Sequence, residues 1–317
     1  MNITKVELLW SRECPLKCIG CAMPNNLKGG PTIYHAGNDA DWARGISNIK
    51  NMGAKFIAIY GAEPLTRYEG LPFVINEIMK RGMATTVITA LPLSPKMVQL
   101  LRESTLDSVT CSYDGITSDV SRKAKSASGW KFLADQPQIR DRTVVATISS
   151  ENIKKGVHMA LNATTNGYWF MFDFLHQGIG DLSKCSVTNV PPIDPIDMRE
   201  FIDGLLDLKK AGAKIHPSEA YLRFVRDNYK GSIRALWHCR GQSTGWLTVD
   251  SNGDILPCDD WQKRYPGGKI WDDIDFDAVS KWKEDAVLDC PGCAWNTHFD
   301  ACRIEREEKG QVGSYVH

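Results

Sequence analysis

The chain has 317 residues, 38 basic and 38 acidic side chains and ten cysteines, and 43% of its residues are hydrophobic. That length supports one large domain, or a large and a small one, with a well-buried core, and the 24% charged fraction excludes a wholly disordered chain. Zero net charge removes the electrostatic case for a nucleic-acid polymer as partner. No apolar run approaches the roughly 20 residues that span a bilayer. The N-terminal residues lack a signal peptide's apolar stretch, so a soluble, cytoplasmic protein is expected.

In chain order, Val6 to Trp10 reads as a strand, and Asp41 to Met52 as a helix stopped by Gly53. Phe56 to Tyr60 is a buried-strand run, Pro72 to Arg81 a helix ended by Gly82, and Thr85 to Thr89 a β-branched strand. Pro95 to Arg102 is helical, and Ser108–Ser112, Thr143–Ile148 and Tyr168–Phe172 give the fourth, fifth and sixth strands. Apolar strands alternating with helices imply a parallel sheet covered by helices. Six such units fit an open doubly wound sheet or a partial barrel, and both place chemistry at the C-terminal strand ends. Beyond the stiff segment Val190 to Pro195, helices are predicted over Asp197–Ala211 and Ser218–Tyr229. From Gly231 onward six of the ten tryptophans and five cysteines accumulate with few aliphatic runs, a composition suited to a small domain organised by metal or cluster ligands. Trp246 to Val249, the turn Asp250-Ser251-Asn252-Gly253, and Asp254 to Pro257 read as a β-hairpin. Lys281 to Lys283 read as a solvated helix face.

The cysteines are clustered rather than spread. About 220 residues between Cys21 and Cys239 hold only Cys111 and Cys185, which argues for metal ligation over disulfide bridges. Cys111 lies in a strand core and Cys185 in a loop. Cys14, Cys18 and Cys21 form a C-x3-C-x2-C group directly after the first strand. Three thiolates within eight residues suit one face of an iron–sulfur cubane and leave one iron open, whereas zinc would want a fourth ligand nearby.

This spacing and position resemble the radical S-adenosylmethionine (SAM) superfamily. The resemblance implies a partial (β/α)6 barrel in which Cys14, Cys18 and Cys21 hold a 4Fe-4S cluster whose open iron is chelated by SAM. The residue before the last cysteine, usually aromatic in that family and packed near the adenine, is Gly20 here. Gly61-Ala62-Glu63-Pro64, ending the second strand, looks like the family's GGEP motif and implies contact with the methionine amino group. Ser112, Asp114, Ser149 and Asn152, after the fourth and fifth strands, fall where further SAM contacts are usual.

Cys239, Gly253 and Cys258 resemble the opening of SPASM and twitch extensions, in which a hairpin carries two ligands of an auxiliary 4Fe-4S cluster. Cys290 and Cys293 complete the leading ligand set, and Cys302 is an alternative fourth ligand. Spacing alone also permits a four-cysteine zinc site. The domain organisation expected is a barrel over 1–195, linking helices over 196–230, and a Cys/Trp-rich, twitch-like domain over 231–317.

Tyr113, Asp173 and His176 sit at strand ends where barrel enzymes contact substrate; His238 and His298 adjoin cysteines without being read as ligands. No GxSxG elbow, P-loop or GxGxxG fingerprint is present. The activity implied by the resemblance is reductive cleavage of SAM to a 5'-deoxyadenosyl radical, which abstracts a hydrogen atom from substrate. The auxiliary cluster would assist electron transfer, and a flavodoxin- or ferredoxin-type donor would supply electrons. Peptide-modifying relatives often carry an N-terminal recognition module, whereas the first barrel strand begins by residue 6 here, which favours a small molecule such as a sugar, aminocyclitol or nucleotide-like metabolite. A modified peptide or protein is the runner-up, and a non-catalytic iron–sulfur carrier is the competing class.

Overall fold

A computed structural model describes residues 3–16, 37–113, 129–175, 191–232, 245–258 and 263–288. Six β/α-type strands form in the predicted order: β1 (Lys5–Ser11), β2 (Phe56–Gly61), β3 (Ala84–Thr89), β4 (Ser108–Ser112), β5 (Asp141–Ile148) and β6 (Trp169–Phe174). Between and after them lie α1 (Asp39–Asn51), α2 (Leu71–Lys80), α3 (Pro95–Glu103), α4 (Gly156–Thr165), α5 (Pro195–Lys210) and α6 (Glu219–Asn228). Four of these helices start where the sequence supplies side-chain caps. Asn38 and Asp41 close a capping box on α1, the Ser94 side chain accepts from Met97 N on α3, and Asp194 and Ser218 cap α5 and α6.

The strands assemble in the order β6-β5-β4-β3-β2-β1-β7-β8, and every described pairing except β7 with β8 is parallel. This is the α/β architecture of a partial barrel, with the C-terminal ends of its parallel strands on one rim. Alternate side chains point to opposite faces of a strand. Val6, Leu8, Trp10, Ile57, Ile59, Val87 and Val109 pack with α1, α2 and α3 in one apolar cluster. Val144, Ala146, Ile148, Phe170, Phe172 and Phe174 pack with α4, α5 and α6 in a second. The core therefore sits on the helix side of the sheet, and the other face is left to the intervening residues.

The hairpin predicted around Asp250 forms as β7 (Trp246–Asp250) and β8 (Ile255–Leu256). Its turn depends on Gly253. At φ +79° only glycine is comfortable, and a Cβ there would stand 2.3 Å from the Trp271 ring. Trp271 in turn packs edge-on against Trp42 of α1 at 5.2 Å between ring centres. What the sequence pattern did not indicate is where the hairpin goes. β7 lies parallel along β1 from Lys5↔Trp246 to Leu9↔Asp250, so segments some 240 residues apart share one sheet.

One expectation is corrected. Lys283, on α7 (Phe276–Val287), is not solvated: it is 1% exposed and its ammonium donates to the Trp246 carbonyl at the start of β7. The long apolar stem makes such burial tolerable where the head group finds an acceptor. α7 packs close enough to the sheet edge to supply one.

Candidate active site

The rim formed by the C-terminal strand ends gathers most of the predicted site residues that lie within the described segments. Cys14 is half-buried just past β1, with Leu16 N donating to its sulfur at 3.4 Å. The loop carrying it is tied to the turn after β2 by a compact hydroxyl network. Thr66 Oγ1 lies 3.0 Å from Ser11 Oγ, 3.1 Å from the Glu13 carbonyl and 2.6 Å from the Glu63 carbonyl, while Glu13 N donates to Ser11 Oγ at 3.1 Å. Ala62 N donates to the Ser11 carbonyl at 2.8 Å. Gly61 makes this approach possible: its φ is +142°, and a Cβ would fall 2.2 Å from the Ser11 carbonyl oxygen. The cysteine-bearing loop and the Gly61–Pro64 turn are thus one structural unit.

Glu63 is 1% exposed, and its carboxylate points back into the rim. It accepts from Leu65 N at 3.1 Å, Thr89 Oγ1 at 2.7 Å and Ala90 N at 2.9 Å, joining the ends of β2 and β3. A buried carboxylate with several donors is a stable arrangement, since each bond to the charged oxygen offsets lost solvation. Burial, and secondarily the Glu63 charge, pushes the Cys111 thiol far above its ordinary pKa. That keeps Cys111 a protonated core residue on β4.

Further round the rim, Ser112 ends β4 and Ser149 and Asn152 follow β5. Asn152 is buried and folds onto its own turn: its Oδ1 accepts from Ser149 N at 2.8 Å and its Nδ2 donates to the Thr147 carbonyl at 2.8 Å. Asp173, paired with Thr147 across β5 and β6, alternates with Phe172 and Phe174 and so lies on the face turned away from the helices. Tyr113 turns the other way, its ring 4.6 Å from that of Trp130 in the helix-side cluster, where burial raises its pKa. Cys18, Cys21, Asp114, His176, Cys239, Cys290, Cys293 and Cys302 lie outside the described residues, as do Cys185, His238 and His298.

The parallel pairing of β7 with β1 brings the hairpin turn to this same rim. Arg12, two residues before Cys14, donates through Nη2 to Asp250 Oδ2 at 3.2 Å. The Asp250 side chain is 1% exposed, and its Oδ1 also accepts from Asn252 N at 2.8 Å and Asp254 N at 3.0 Å. Burial, reinforced by the charge of Asp254, raises the Asp250 pKa, while the two amides and Arg12 oppose the shift. Sequence reasoning passed over Arg12, Thr66 and Thr89 and read Asp250 only as a turn residue. The sequence signal for Arg12 was its place beside the cysteine group.

The family described as the radical SAM superfamily matches residues 8–175, more than half of the chain. The chain belongs to the radical SAM superfamily. Its fold is similar to that of Streptococcus suis SuiB, both bound to S-adenosylmethionine (TM-score 0.62) and bound to its precursor peptide SuiA (TM-score 0.66). Each comparison has 17% identity over 90% of this chain. The chain spans about two thirds of the length of SuiB, 65% and 66% in the two comparisons. It is also similar to anSMEcpe with bound AdoMet, at TM-score 0.60 and 14% identity over 100% of both chains. At these identities the likeness is one of fold. No curated protein sequence matches the chain significantly.

Membership of the radical SAM superfamily implies a 4Fe-4S cluster and SAM, and the described residues at this rim fit such ligands. Cys14 offers a soft sulfur donor at the open end of the sheet. Two buried polar atoms of the hairpin turn at this rim, Ser251 Oγ and Asn252 Oδ1, have no hydrogen-bond partner among the described residues. Unpaired buried polar atoms are costly, so their concentration here suits a polar ligand. Among the described residues no helix is long and apolar enough to cross a membrane.

Proposed function

We propose that this radical SAM protein cleaves SAM reductively and uses the resulting radical to abstract a hydrogen atom from a small polar substrate held against the helix-free face of the sheet. The observation that carries this reading is the welding of the Cys14 loop to the Gly61–Pro64 turn at the strand-end rim. Cys14, Cys18 and Cys21 would hold the SAM-binding cluster. When bound, the cluster and SAM together supply the 5'-deoxyadenosyl radical. Gly61 and Ala62 would present backbone groups to the methionine end of SAM, with Glu63 and Pro64 shaping the turn. Ser112, Asp114, Ser149 and Asn152 would border the rest of SAM. The packed rim would orient SAM and exclude water around a reactive species.

Several observations support a hydroxyl-bearing small molecule, such as a sugar, aminocyclitol or nucleotide-like metabolite. Thr86, Thr110, Thr147 and Asp173 share the helix-free face, with Thr86 and Thr110 hydroxyls 3.3 Å apart. Asp173 and His176 are the proposed substrate contacts, with Tyr113 a weaker one because its ring is turned to Trp130. A modified peptide is the second reading, supported by the fold shared with the SuiA-bound SuiB. We further assign Cys239, Cys258, Cys290 and Cys293, or Cys302 in place of one of the last pair, to an auxiliary 4Fe-4S cluster within a twitch-like region after residue 231. Electrons would come from a flavodoxin- or ferredoxin-type donor. Thiolate ligation of this kind accords with a reducing, cytoplasmic compartment.

The test is anaerobic reconstitution with iron and sulfide, followed by reduction in the presence of SAM. The expected results are about eight irons per chain, release of 5'-deoxyadenosine, and loss of that release in Cys14→Ala and Cys18→Ala. About four irons would remove the auxiliary cluster. SAM cleavage unchanged in either variant would overturn the site, and a chain that binds no SAM would be a carrier.

A further inference from the structure

The Arg12–Asp250 ion pair joins the loop of Cys14 to the hairpin that leads to Cys258. Arg12 precedes Cys14 by two residues, at most about 7 Å along an extended backbone, and Asp250 precedes Cys258 by eight. The pair lies at the rim because β7 runs parallel to β1 with Leu9 opposite Asp250. It is asymmetric in a telling way. Asp250 is sealed from solvent, with two backbone amides on one oxygen and Arg12 on the other, whereas the Arg12 side chain is 26% exposed. The carboxylate is built into the hairpin turn, and the guanidinium reaches to it from the loop of Cys14. A surface loop could be anchored by hydroxyls alone, as Ser11 and Thr66 already show. Burying a carboxylate beside the turn is costly unless its charge is matched.

We infer that Arg12 and Asp250 are positioning residues that lock the Cys14 loop to the β7–β8 hairpin and balance charge beside the SAM-binding cluster, so that the two cysteine-bearing regions are held as one body. This rests on the proposed assignment of Cys14 to that cluster. Neither residue touches SAM or substrate in this role. Their effect passes through the loop's position and through the local field, which acts on a cluster over short range in a poorly screened setting.

The two single variants should act with opposite signs on the field. Asp250→Asn leaves the Arg12 charge unmatched and should raise the midpoint potential of the SAM-binding cluster. Arg12→Met leaves the carboxylate unmatched and should lower it. The double variant should return towards the wild-type value, and Arg12→Lys, which keeps the charge, should stay close to it. The anaerobically reconstituted full chain, titrated potentiometrically with an electron paramagnetic resonance readout, gives these values. In the metal-free chain, alkylation of Cys14 by a maleimide, followed by mass spectrometry of its peptide, should quicken about fivefold in Asp250→Asn, which frees the loop and keeps the Arg12 charge, and by less in Arg12→Met, which also removes a cation that favours the thiolate. Shifts in the same direction for Asp250→Asn and Arg12→Met, or potentials and alkylation unchanged from wild type, would overturn the inference. A wild-type chain that assembles no SAM-cleaving cluster would instead defeat the proposed function. The metal-free alkylation would still decide whether the ion pair holds the loop.

Discussion

The two faces of the parallel sheet differ sharply in chemistry although they are built from alternate residues of the same strands. On the helix side, Phe170, Phe172 and Phe174 of β6 meet Phe201 of α5 and Tyr221 of α6, with ring centres 5.1 Å apart for Phe172 and Phe201. On the opposite side the same strands present Thr86, Thr110, Thr147 and Asp173, and Glu7 of β1 accepts from Thr248 of β7 at 3.4 Å. The first face is close-packed and indifferent to chemistry. The second tolerates hydroxyls and carboxylates where they pair with one another, as Thr86 does with Thr110 and Thr248 with Glu7. Under the proposed function, stability falls to the helix-side face and substrate binding to the opposite one, and the two meet at the rim. Substitutions should separate accordingly.

The sharpest contrast is expected at Phe172. Its side chain is fully buried among aromatic neighbours, and Phe172→Ala should cost about 3–5 kcal/mol of folding free energy by transfer and cavity terms. Denaturant unfolding measures the loss. SAM cleavage per folded molecule should be unchanged, and a large loss of cleavage in the folded fraction would break the division between faces. At the rim the two effects should coincide. Gly61→Ala must place a Cβ against the Ser11 backbone at a positive φ, which should cost about 3 kcal/mol. It should also abolish 5'-deoxyadenosine release by pushing the Cys14 loop away. A variant as stable and active as wild type would show that the close approach is dispensable.

Glu63 sharpens the comparison further. With three donors already on its carboxylate, Glu63→Gln keeps the shape but opposes an amide NH2 to at least one donor. The expected cost is about 2 kcal/mol, in the range for hydrogen bonds to a charged group. If the β2–β3 link is its main task, KM for SAM and stability should fall out of step only slightly. A large rise in KM with stability intact would place the carboxylate on SAM instead.

Much of this arrangement could be read along the chain; α4, which has no side-chain cap, escaped the sequence reading, and the other exceptions share a cause. Strands β1 to β6 and helices α1, α2, α3, α5 and α6 follow from local periodicity and caps, which need no knowledge of distant residues. The Gly61–Pro64 turn was visible as a motif at a strand end. The pairing of β7 with β1 was not, since nothing near Trp246 names a partner 241 residues away. Every feature that depends on that pairing was hidden with it, including the Arg12–Asp250 pair and the burial of Lys283 under the Trp246 carbonyl. Glu63 shows a subtler limit. Its residue type marked it as functional, but Thr89 and Ala90 as its partners emerge only when β2 and β3 lie side by side.

The smallest expected effect lies outside both faces, at the seam between α2 and α1, where Arg81 also donates to Ser47 Oγ and the Ala43 carbonyl. Glu77 accepts from Arg81 one helical turn on, and that hydrogen bond, aided by the Arg81 and Lys80 charges, holds its pKa below the ordinary value against a smaller opposing effect of burial. The lowered folded-state pKa means that unfolding takes up a proton near Glu77's ordinary pKa of about 4.3. The contribution to stability is therefore fully present above that pH and is lost as pH falls through the lower folded-state value. As a single i,i+4 helix pair it contributes under about 1 kcal/mol. Glu77→Gln should lower stability slightly at neutral pH and flatten the acid limb of the stability–pH curve below about pH 4.5. Its SAM cleavage should match wild type throughout. An acid limb unchanged by the substitution would show that the Arg81 contact carries no net free energy, leaving stability to the buried face alone.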